Sequence, residues 1–239
     1  AVLSPEPTGE RLVRANVGVL KFRLRTRGRP AHPLEPEAGR SAIDLMMRLI
    51  GHLRRLEQAW IAEKEAHRLF RGTANPVSLT IGTISGGDWL ASIASDCEAE
   101  GRIGFYPGED PAVRARAFEA FLLDLPGEDP AFREPGTIRL EWVGVMHAGY
   151  ELPAGSEAER CLQRAHAAAG QGEPLRDTVM AAYLDAAIFA VHANIPALVY
   201  GPVAENIHGI DERVSLSSIR RVTKALALFA ADWCGLQPQ

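Results

Sequence analysis

The sequence predicts an α/β layer interrupted by an inserted α+β sandwich. Two observations support this fold class. Between Val17 and Val143 the apolar patterns follow the order strand, helix, strand, strand, helix, strand. After about Met146 the chain returns to helices and one short, fully apolar strand, as in a sheet covered on both faces. We therefore predict three segments, 1–17, 18–145 and 146–239, of which the first and third belong to one layer.

The first half of the insertion shows clear strand and helix patterns. Val17 to Thr26 alternates apolar and basic residues, which predicts a strand with one packed face and one solvated face. An apolar stripe at helical spacing predicts a long helix that starts near Pro36. A strand is expected from Val77 to Ile81, and we expect Gly82 to break it.

The second half of the insertion repeats this order. A strand is predicted from Ile93 to Tyr106, followed by a helix with Pro111 in its first turn and a strand from Thr137 to Val143. The complete order is that of the split βαβ unit, a ferredoxin-like sandwich with two helices on one face of an antiparallel sheet. Such a unit has an edge strand or helix face available for pairing with a second copy.

The third segment is predominantly helical. Helices are predicted from Ser156 to Ala169, from Asp177 to Val191 and after Ser215. The β-branched and aromatic run from Ile195 to Tyr200 predicts a buried strand.

Composition narrows the function classes. The formal net charge is −4, without a block of like charges, which argues against a nucleic-acid surface. Apolar runs are too short to span a bilayer, and the amino terminus has no charged leader, so we expect a cytoplasmic protein with no membrane segment. Three separated cysteines, Cys97, Cys161 and Cys234, favour reduced thiols over a disulfide framework.

Three polar residues stand in loops that could carry chemistry. His208 lies between the predicted strand ending at Tyr200 and the last helix, where open α/β sheets place their ligands. Glu6 is held extended between two prolines, and His32 lies in a loop rich in glycine and proline. Taken singly, each is also explained as a solvated loop residue, because most surface carboxylates and lone histidines have no special role.

Several short motifs, in their order and spacing, resemble the M-twenty peptidase family of di-zinc exopeptidases and amidohydrolases, which includes acetylornithine deacetylase and glutamate carboxypeptidase. The resemblance covers nearly the whole chain but only the carboxyl-terminal portion of such an enzyme. The matching pieces are Glu6-Pro-Thr, Gly28-Arg-Pro-Ala-His32, Gly39-Arg-Ser-Ala-Ile43, Gly82-Thr-Ile-Ser-Gly-Gly87, Gly101-Arg102, Tyr106-Pro-Gly108, Leu184-Asp185-Ala186, Ile195-Pro, and Gly201-Pro202 to His208 and Asp211-Glu212.

The resemblance implies a role for each matched residue. Glu6 and His208 correspond to ligands of two different zinc ions, and both residue types suit Zn²⁺. His32 corresponds to the histidine that stabilises the oxyanion of the tetrahedral intermediate, in many members from the partner subunit. Arg102 corresponds to an arginine that binds a substrate carboxylate, and Gly201 to a residue lining the substrate pocket.

Other family features are missing from this sequence. The asparagine and proline that usually follow the glycine pair are replaced by Ala91 to Ala94. The family's histidine-x-aspartate motif, bridging aspartate and paired glutamates, which include the general base, do not occur here. Since a catalytic zinc needs about three protein ligands, we expect two zinc ions in the complete enzyme but none held by this chain alone.

The leading interpretation is the carboxyl-terminal part of a zinc-dependent amide hydrolase acting on N-acyl amino acids or small peptides. Without the upstream half, it would be inactive. The alternative is a non-catalytic dimerisation or binding module of the same fold. A further alternative is an enzyme whose other half is a separate chain. In either of the first two cases the insertion is expected to form a homodimer.

Overall fold

The structure is a computed structural model that describes residues 1–170 and 172–236. Its contacts divide the chain into two compact units. One, here called the split unit, comprises Ala1–Asn16 and Tyr150–Gln239. The other, here called the inserted unit, comprises Val17–Gly149. The borders between the two units lie after Asn16 and after Gly149.

The helices and strands in chain order are β1 (Val2–Ser4), β2 (Leu12–Asn16), β3 (Gly18–Arg27), α1 (Ala42–Ala62), β4 (Leu79–Gly86), β5 (Asp96–Phe105), α2 (Pro111–Glu128), β6 (Ile138–Trp142), β7 (Tyr150–Glu151), α3 (Glu157–Ala169), β8 (Asp177–Met180), α4 (Ala186–Ala193), β9 (Ala197–Val199), β10 (Ala204–Glu205), β11 (Arg213–Val214) and α5 (Leu216–Cys234).

The inserted unit contains a four-stranded antiparallel sheet in the order β4-β5-β3-β6. The central strand β3 pairs along its whole length with β5, from Gly18 opposite Phe105 to Arg27 opposite Asp96. With α1 between β3 and β4 and α2 between β5 and β6, this is the ferredoxin-like arrangement. The predicted fold class is therefore confirmed.

Strand β3 shows why the inserted sheet has one packed face. Leu20, Phe22 and Leu24 are buried, whereas Lys21 and Arg25, which alternate with them, are exposed. The Phe22 ring lies 5.1 Å from that of Phe118 on α2, measured between centroids. The helices therefore cover the apolar face, and the charged residues of β3 are left on the other face.

The split unit is a mixed α/β structure. Strand β1 pairs in parallel with β9, while β2 pairs in parallel with β8 and antiparallel with β7. Helices α3 and α5 pack on an apolar core formed by Leu12, Leu152, Ala158, Cys161, Leu162, Ala165, Leu198, Tyr200, Val222, Ala225 and Phe229. Parallel strands with helices between them are typical of an α/β layer.

Two boundary predictions in the inserted unit are wrong. The long helix begins at Ala42, because Ser41 Oγ accepts a hydrogen bond from Asp44 N (3.1 Å) and caps it, while Pro36–Ala38 forms only a short 3₁₀ turn. Gly82 does not end its strand. The pairing of β4 with β5 shifts register between Ile81 and Thr83 and continues to Gly86, so the glycine marks a bulge.

The helix predicted from Asp177 to Val191 is also wrong in its first part. Asp177–Met180 is strand β8, and the helix that follows covers only Ala186–Ala193. Parallel pairing with β2, whose five residues are all buried, sets the conformation of β8. Tertiary pairing here overrides the local preference that the sequence pattern expressed.

Across the part of the chain that the structure describes, no helix combines the length and the apolar character needed to cross a bilayer.

Candidate functional site

Glu6 and Gly201 follow two neighbouring parallel strands of the split unit. The last residues of β1 and β9, Ser4 and Val199, are register partners, and Tyr200 N donates to Ser4 O (3.1 Å). Since the strands are parallel, the loops that follow them leave the same edge. This carboxyl-terminal edge is where open α/β sheets bind their ligands.

The two loops are joined by backbone and side-chain hydrogen bonds. Gly201 N donates to Thr8 Oγ1 (2.9 Å), Glu10 N donates to Gly201 O (2.8 Å), and Gly9 N donates to Pro202 O (3.1 Å). A Cβ atom at Gly201 would lie only 2.0 Å from the Glu6 carbonyl oxygen. Only glycine permits this approach, so the structure brings the predicted residues Glu6 and Gly201 into contact.

His208 lies at the tip of a short hairpin in the same unit. Strands β10 and β11 pair antiparallel, and the connecting loop carries His208 with a φ of 63°. Asn206 and Asp211 in this loop also have positive φ, and Gly209 N donates to Asn206 O (2.7 Å). Asparagine, aspartate and histidine are enriched in this left-handed conformation. The turn leaves the imidazole exposed and able to bind a ligand.

His32 lies in the loop after β3 of the inserted unit and is exposed. Its Nδ1 accepts a hydrogen bond from Leu34 N (3.1 Å), and its carbonyl oxygen accepts one from Glu35 N (2.9 Å). An imidazole nitrogen that accepts carries no proton, so the proton of the neutral ring is on Nε2. In this tautomer the exposed ring has an Nε2–H donor.

Arg102 lies on β5 of the inserted unit, directly opposite Lys21 on β3 and Thr80 on β4. Two cations that face each other across a ladder repel one another. Among the described residues, no carboxylate forms an ion pair with Arg102 or Lys21. This pair of cations is thus suited to an anionic group such as a substrate carboxylate.

The residues that the structure describes do not by themselves fit a zinc site. Across residues 1–170 and 172–236, no three side chains of the types His, Cys, Asp and Glu come together as possible metal ligands. A catalytic zinc has about three protein ligands. Glu6 and His208 would each be a single donor, which is fewer than a catalytic zinc needs.

A partly buried polar network next to Gly201 has no signal in the sequence. The Glu10 carboxylate accepts hydrogen bonds from Arg221 Nε (3.1 Å) and Nη2 (2.6 Å) and from the Ser218 hydroxyl. The hydrogen bonds from Arg221 are the main reason why the pKa of Glu10 is lowered. Glu10 and Arg221 are separated by 211 positions, so no spacing rule would pair them. Thr8 lies in a recognised motif, but its contact with Gly201 was not predicted.

A second buried pair supports the same strand end. His166 Nδ1 and the Tyr200 hydroxyl are 2.8 Å apart. Burial lowers the pKa of His166 and raises that of Tyr200 to about 12. Both side chains are therefore neutral at pH 7, and they anchor the residue just before Gly201.

The chain is similar in sequence to known proteins. Residues 14–130 match the family model described as the peptidase dimerisation domain. The N-formyl-4-amino-5-aminomethyl-2-methylpyrimidine deformylase of Halalkalibacterium halodurans is 31% identical over 222 residues, which are 89% of this chain and 50% of that protein. Acetylornithine deacetylase of Proteus mirabilis is 28% identical over 236 residues, 96% of this chain and 55% of that protein. The chain spans about half the length of the curated relatives it matches.

Solved structures show the same fold at low sequence identity. The dipeptidase Dug1p of Saccharomyces cerevisiae aligns over 99% of this chain and 58% of its own, with a TM-score of 0.73 and 12% identity. Human carnosine dipeptidase 1 aligns over 98% of this chain and 59% of its own, with a TM-score of 0.72 and 12% identity. These comparisons confirm the resemblance indicated by the motifs: the chain is a relative of the M-twenty peptidases and amidohydrolases, and its residues 14–130 match their dimerisation domain.

Proposed function

We propose that this chain forms part of the active site of a metal-dependent amide hydrolase that acts on N-acyl amino acids or small peptides. The observation that carries the proposal is the contact between the Glu6 loop and Gly201 at the carboxyl edge of two parallel strands. The names of the relatives, a deformylase, a deacetylase and dipeptidases, support hydrolysis of an amide bond.

In this proposal Glu6 and His208 each contribute one zinc ligand. Because the described residues do not supply a complete ligand set, further ligands and the general base are proposed to come from polypeptide that completes the protein. His32 Nε2–H would donate to the oxyanion that develops on the amide carbonyl. Arg102 would bind a substrate carboxylate, and the backbone around Gly201 would line the pocket.

The experiment is a hydrolysis assay with the full natural protein that carries this sequence. N-acetylornithine, an N-formyl amine and a dipeptide would be tested, each with a matched analogue that lacks the carboxylate where one exists. Arg102→Met should raise KM for carboxylate substrates about 10- to 100-fold, since a hydrogen bond to a charged group contributes about 1.5–3 kcal/mol. KM for an analogue without a carboxylate should change little.

Arg116→Met is the matched control. Arg116 is an exposed arginine on α2, in the same unit, and the same substitution there should leave KM unchanged. The substrate-binding role would be wrong if Arg102→Met weakened both classes of substrate equally. The hydrolase proposal would be wrong if the full protein, supplied with zinc, cleaved no amide in the panel.

A homodimer is part of the same proposal. The match of residues 14–130 to a peptidase dimerisation domain favours self-association through the inserted segment 18–145. The same match supports a second candidate function, a dimerisation or binding module without catalysis. Sedimentation velocity together with the hydrolysis assay separates the two: a dimer that cleaves amides supports the first, and a dimer inert toward every substrate supports the second.

A cytoplasmic location is proposed as well. Cys97, Cys161 and Cys234 are all free thiols. Unpaired cysteines are usual in reducing compartments. Fractionation of the source cells would test the location directly, and recovery of the protein outside the cytoplasm would contradict it.

A further inference from the structure

Ser218 has an unusual position for a helix residue. It lies in the first turn of α5, and its side chain is completely buried (0% exposed). Its hydroxyl donates to Glu10 Oε1 and accepts a hydrogen bond from Val203 N (2.9 Å). A hydroxyl has one proton to donate, so this contact with Glu10 uses the whole donor capacity of the side chain.

The Glu10 end of this contact fixes the loop that carries Glu6. Glu10 has a φ of 61°, which is uncommon for a residue that is not glycine. Its amide donates to Gly201 O (2.8 Å), and its carboxylate is also held by Arg221 of α5. The residues between Glu6 and Glu10 are thereby tied both to the Gly201 loop and to the first turns of α5.

The Val203 end fixes the base of the hairpin that carries His208. Val203 directly precedes β10, and its carbonyl oxygen accepts a hydrogen bond from Ser215 N (2.9 Å). Ser215 in turn directly follows β11 and caps α5 through its hydroxyl, which accepts from Ser218 N (3.3 Å). Both ends of the hairpin are therefore held at the same helix terminus where Ser218 contacts Glu10.

We propose that Ser218 is a positioning residue that couples the Glu6 loop to the His208 hairpin. One buried hydroxyl joins the two segments, so a displacement of either is transmitted to the other. Its relevance to hydrolysis rests on the proposed function, in which Glu6 and His208 act together. The coupling itself is a property of the split unit and can be measured without any activity.

The test is amide hydrogen exchange, read by nuclear magnetic resonance at Val203 and at Glu10. Glu10→Gln weakens the hydrogen bond between Ser218 and residue 10 and leaves the contact between Ser218 and Val203 N in place. Coupling predicts that exchange at the Val203 amide nevertheless becomes about three- to tenfold faster, the effect of losing about one net hydrogen bond. Glu205→Gln is the control, because it removes an exposed ion pair with Arg213 on the hairpin without touching Ser218. It should leave exchange at Glu10 unchanged.

Ser218→Ala should speed exchange at both amides by a similar factor, whereas Thr223→Ala, which removes an exposed hydroxyl from the same helix, should alter neither. The proposal is overturned if Glu10→Gln leaves the Val203 amide unaffected. If Ser218→Ala does not fold, the Glu10→Gln experiment still decides the question.

Activity gives a separate readout in the full natural protein. If the protein hydrolyses amides, Ser218→Ala should lower kcat at least tenfold with a smaller change in KM, and Thr223→Ala should match the wild type. An unchanged kcat for Ser218→Ala in an active protein would overturn the positioning role. If the protein hydrolyses nothing, the proposed function fails, and the exchange data alone decide whether the two segments are coupled.

Discussion

Replacing Gly201 with alanine is the sharpest perturbation that the structure offers. The new Cβ would lie 2.0 Å from the carbonyl oxygen of Glu6, and 2.8 and 2.9 Å from its carbonyl carbon and its nitrogen. All three are backbone atoms, so no side-chain rotation can relieve the clash. The Glu6 backbone would have to move until the separation approaches the 3.4 Å of ordinary contact.

This movement has two costs. Overpacking a well-packed site costs about 1–3 kcal/mol. The displacement also strains the hydrogen bonds that Gly201 forms with Thr8 and Glu10, each contributing about 1 kcal/mol. We therefore expect Gly201→Ala to lower the free energy of unfolding of the split unit by about 3 kcal/mol.

The assay is urea unfolding followed by hydrogen exchange and mass spectrometry, which reports the stability of each unit from its own peptides. Gly51→Ala provides the matched control, because a Cβ at Gly51 in α1 would contact nothing within 4 Å. There the substitution should stabilise the inserted unit by about 0.5–1 kcal/mol, the usual cost of glycine inside a helix. Unfolding of Gly201→Ala at the wild-type urea concentration would refute the close approach of the two loops.

Three further predictions concern the cores and the charged pairs. Arg14→Leu should lower the free energy of unfolding by about 3–5 kcal/mol, because it leaves the buried Glu159 carboxylate, 2.7 Å from Arg14, without its main partner. Urea denaturation measures this change, and a loss below about 1 kcal/mol would contradict the prediction. The hydrogen bonds from Arg14 lower the pKa of Glu159 below its ordinary 4.5. The stability that Glu159 contributes is therefore present above pH 4.5 and declines as the pH falls through the lowered pKa. Glu159→Gln should flatten this dependence of stability on acid pH, and an unchanged profile would count against the prediction. Phe118→Ala removes a fully buried ring in contact with Phe22 and should lower the free energy of unfolding by about 3–5 kcal/mol. Calorimetry measures this loss, and a change within error would show that the ring is not part of the core.

The inserted sheet could be predicted because its local patterns agree with its packing. The alternation of Phe22 and Leu24 with Lys21 and Arg25 along β3 matches the buried and exposed faces of the strand. The start of α2 was visible as well, since Asp110 caps the helix through Ala112 N (2.8 Å) and Pro111 occupies the first turn.

Other features depend on contacts between distant residues. The sequence predicts a helix where strand β8 forms, because the conformation of β8 comes from pairing with β2, for example Thr178 opposite Val13. The sequence predicts that Gly82 ends its strand, because a bulge and a break have the same glycine signal in a sequence. Local periodicity carries no information about which distant strand pairs with which.

The candidate site also contains both residues that the sequence identifies and residues that it does not. Motif order alone identifies Glu6 and Gly201 as candidates, and the structure places these two in contact. The residues that hold them, Glu10 and Ser218, had no motif and no periodic signal. Their hydrogen bond joins positions separated by 208 residues and becomes visible only in the folded split unit.

The most direct test of the central claim is the zinc content of the full natural protein, measured by elemental analysis for the wild type, Glu6→Gln and His208→Ala. His192→Ala serves as the control, since this histidine lies on α4 and has no proposed ligand role. About two zinc ions per chain are expected in the wild type and in the control, with loss of at least one in each of the two ligand variants. Equal zinc content in all four proteins would contradict the assignment of Glu6 and His208 as metal ligands.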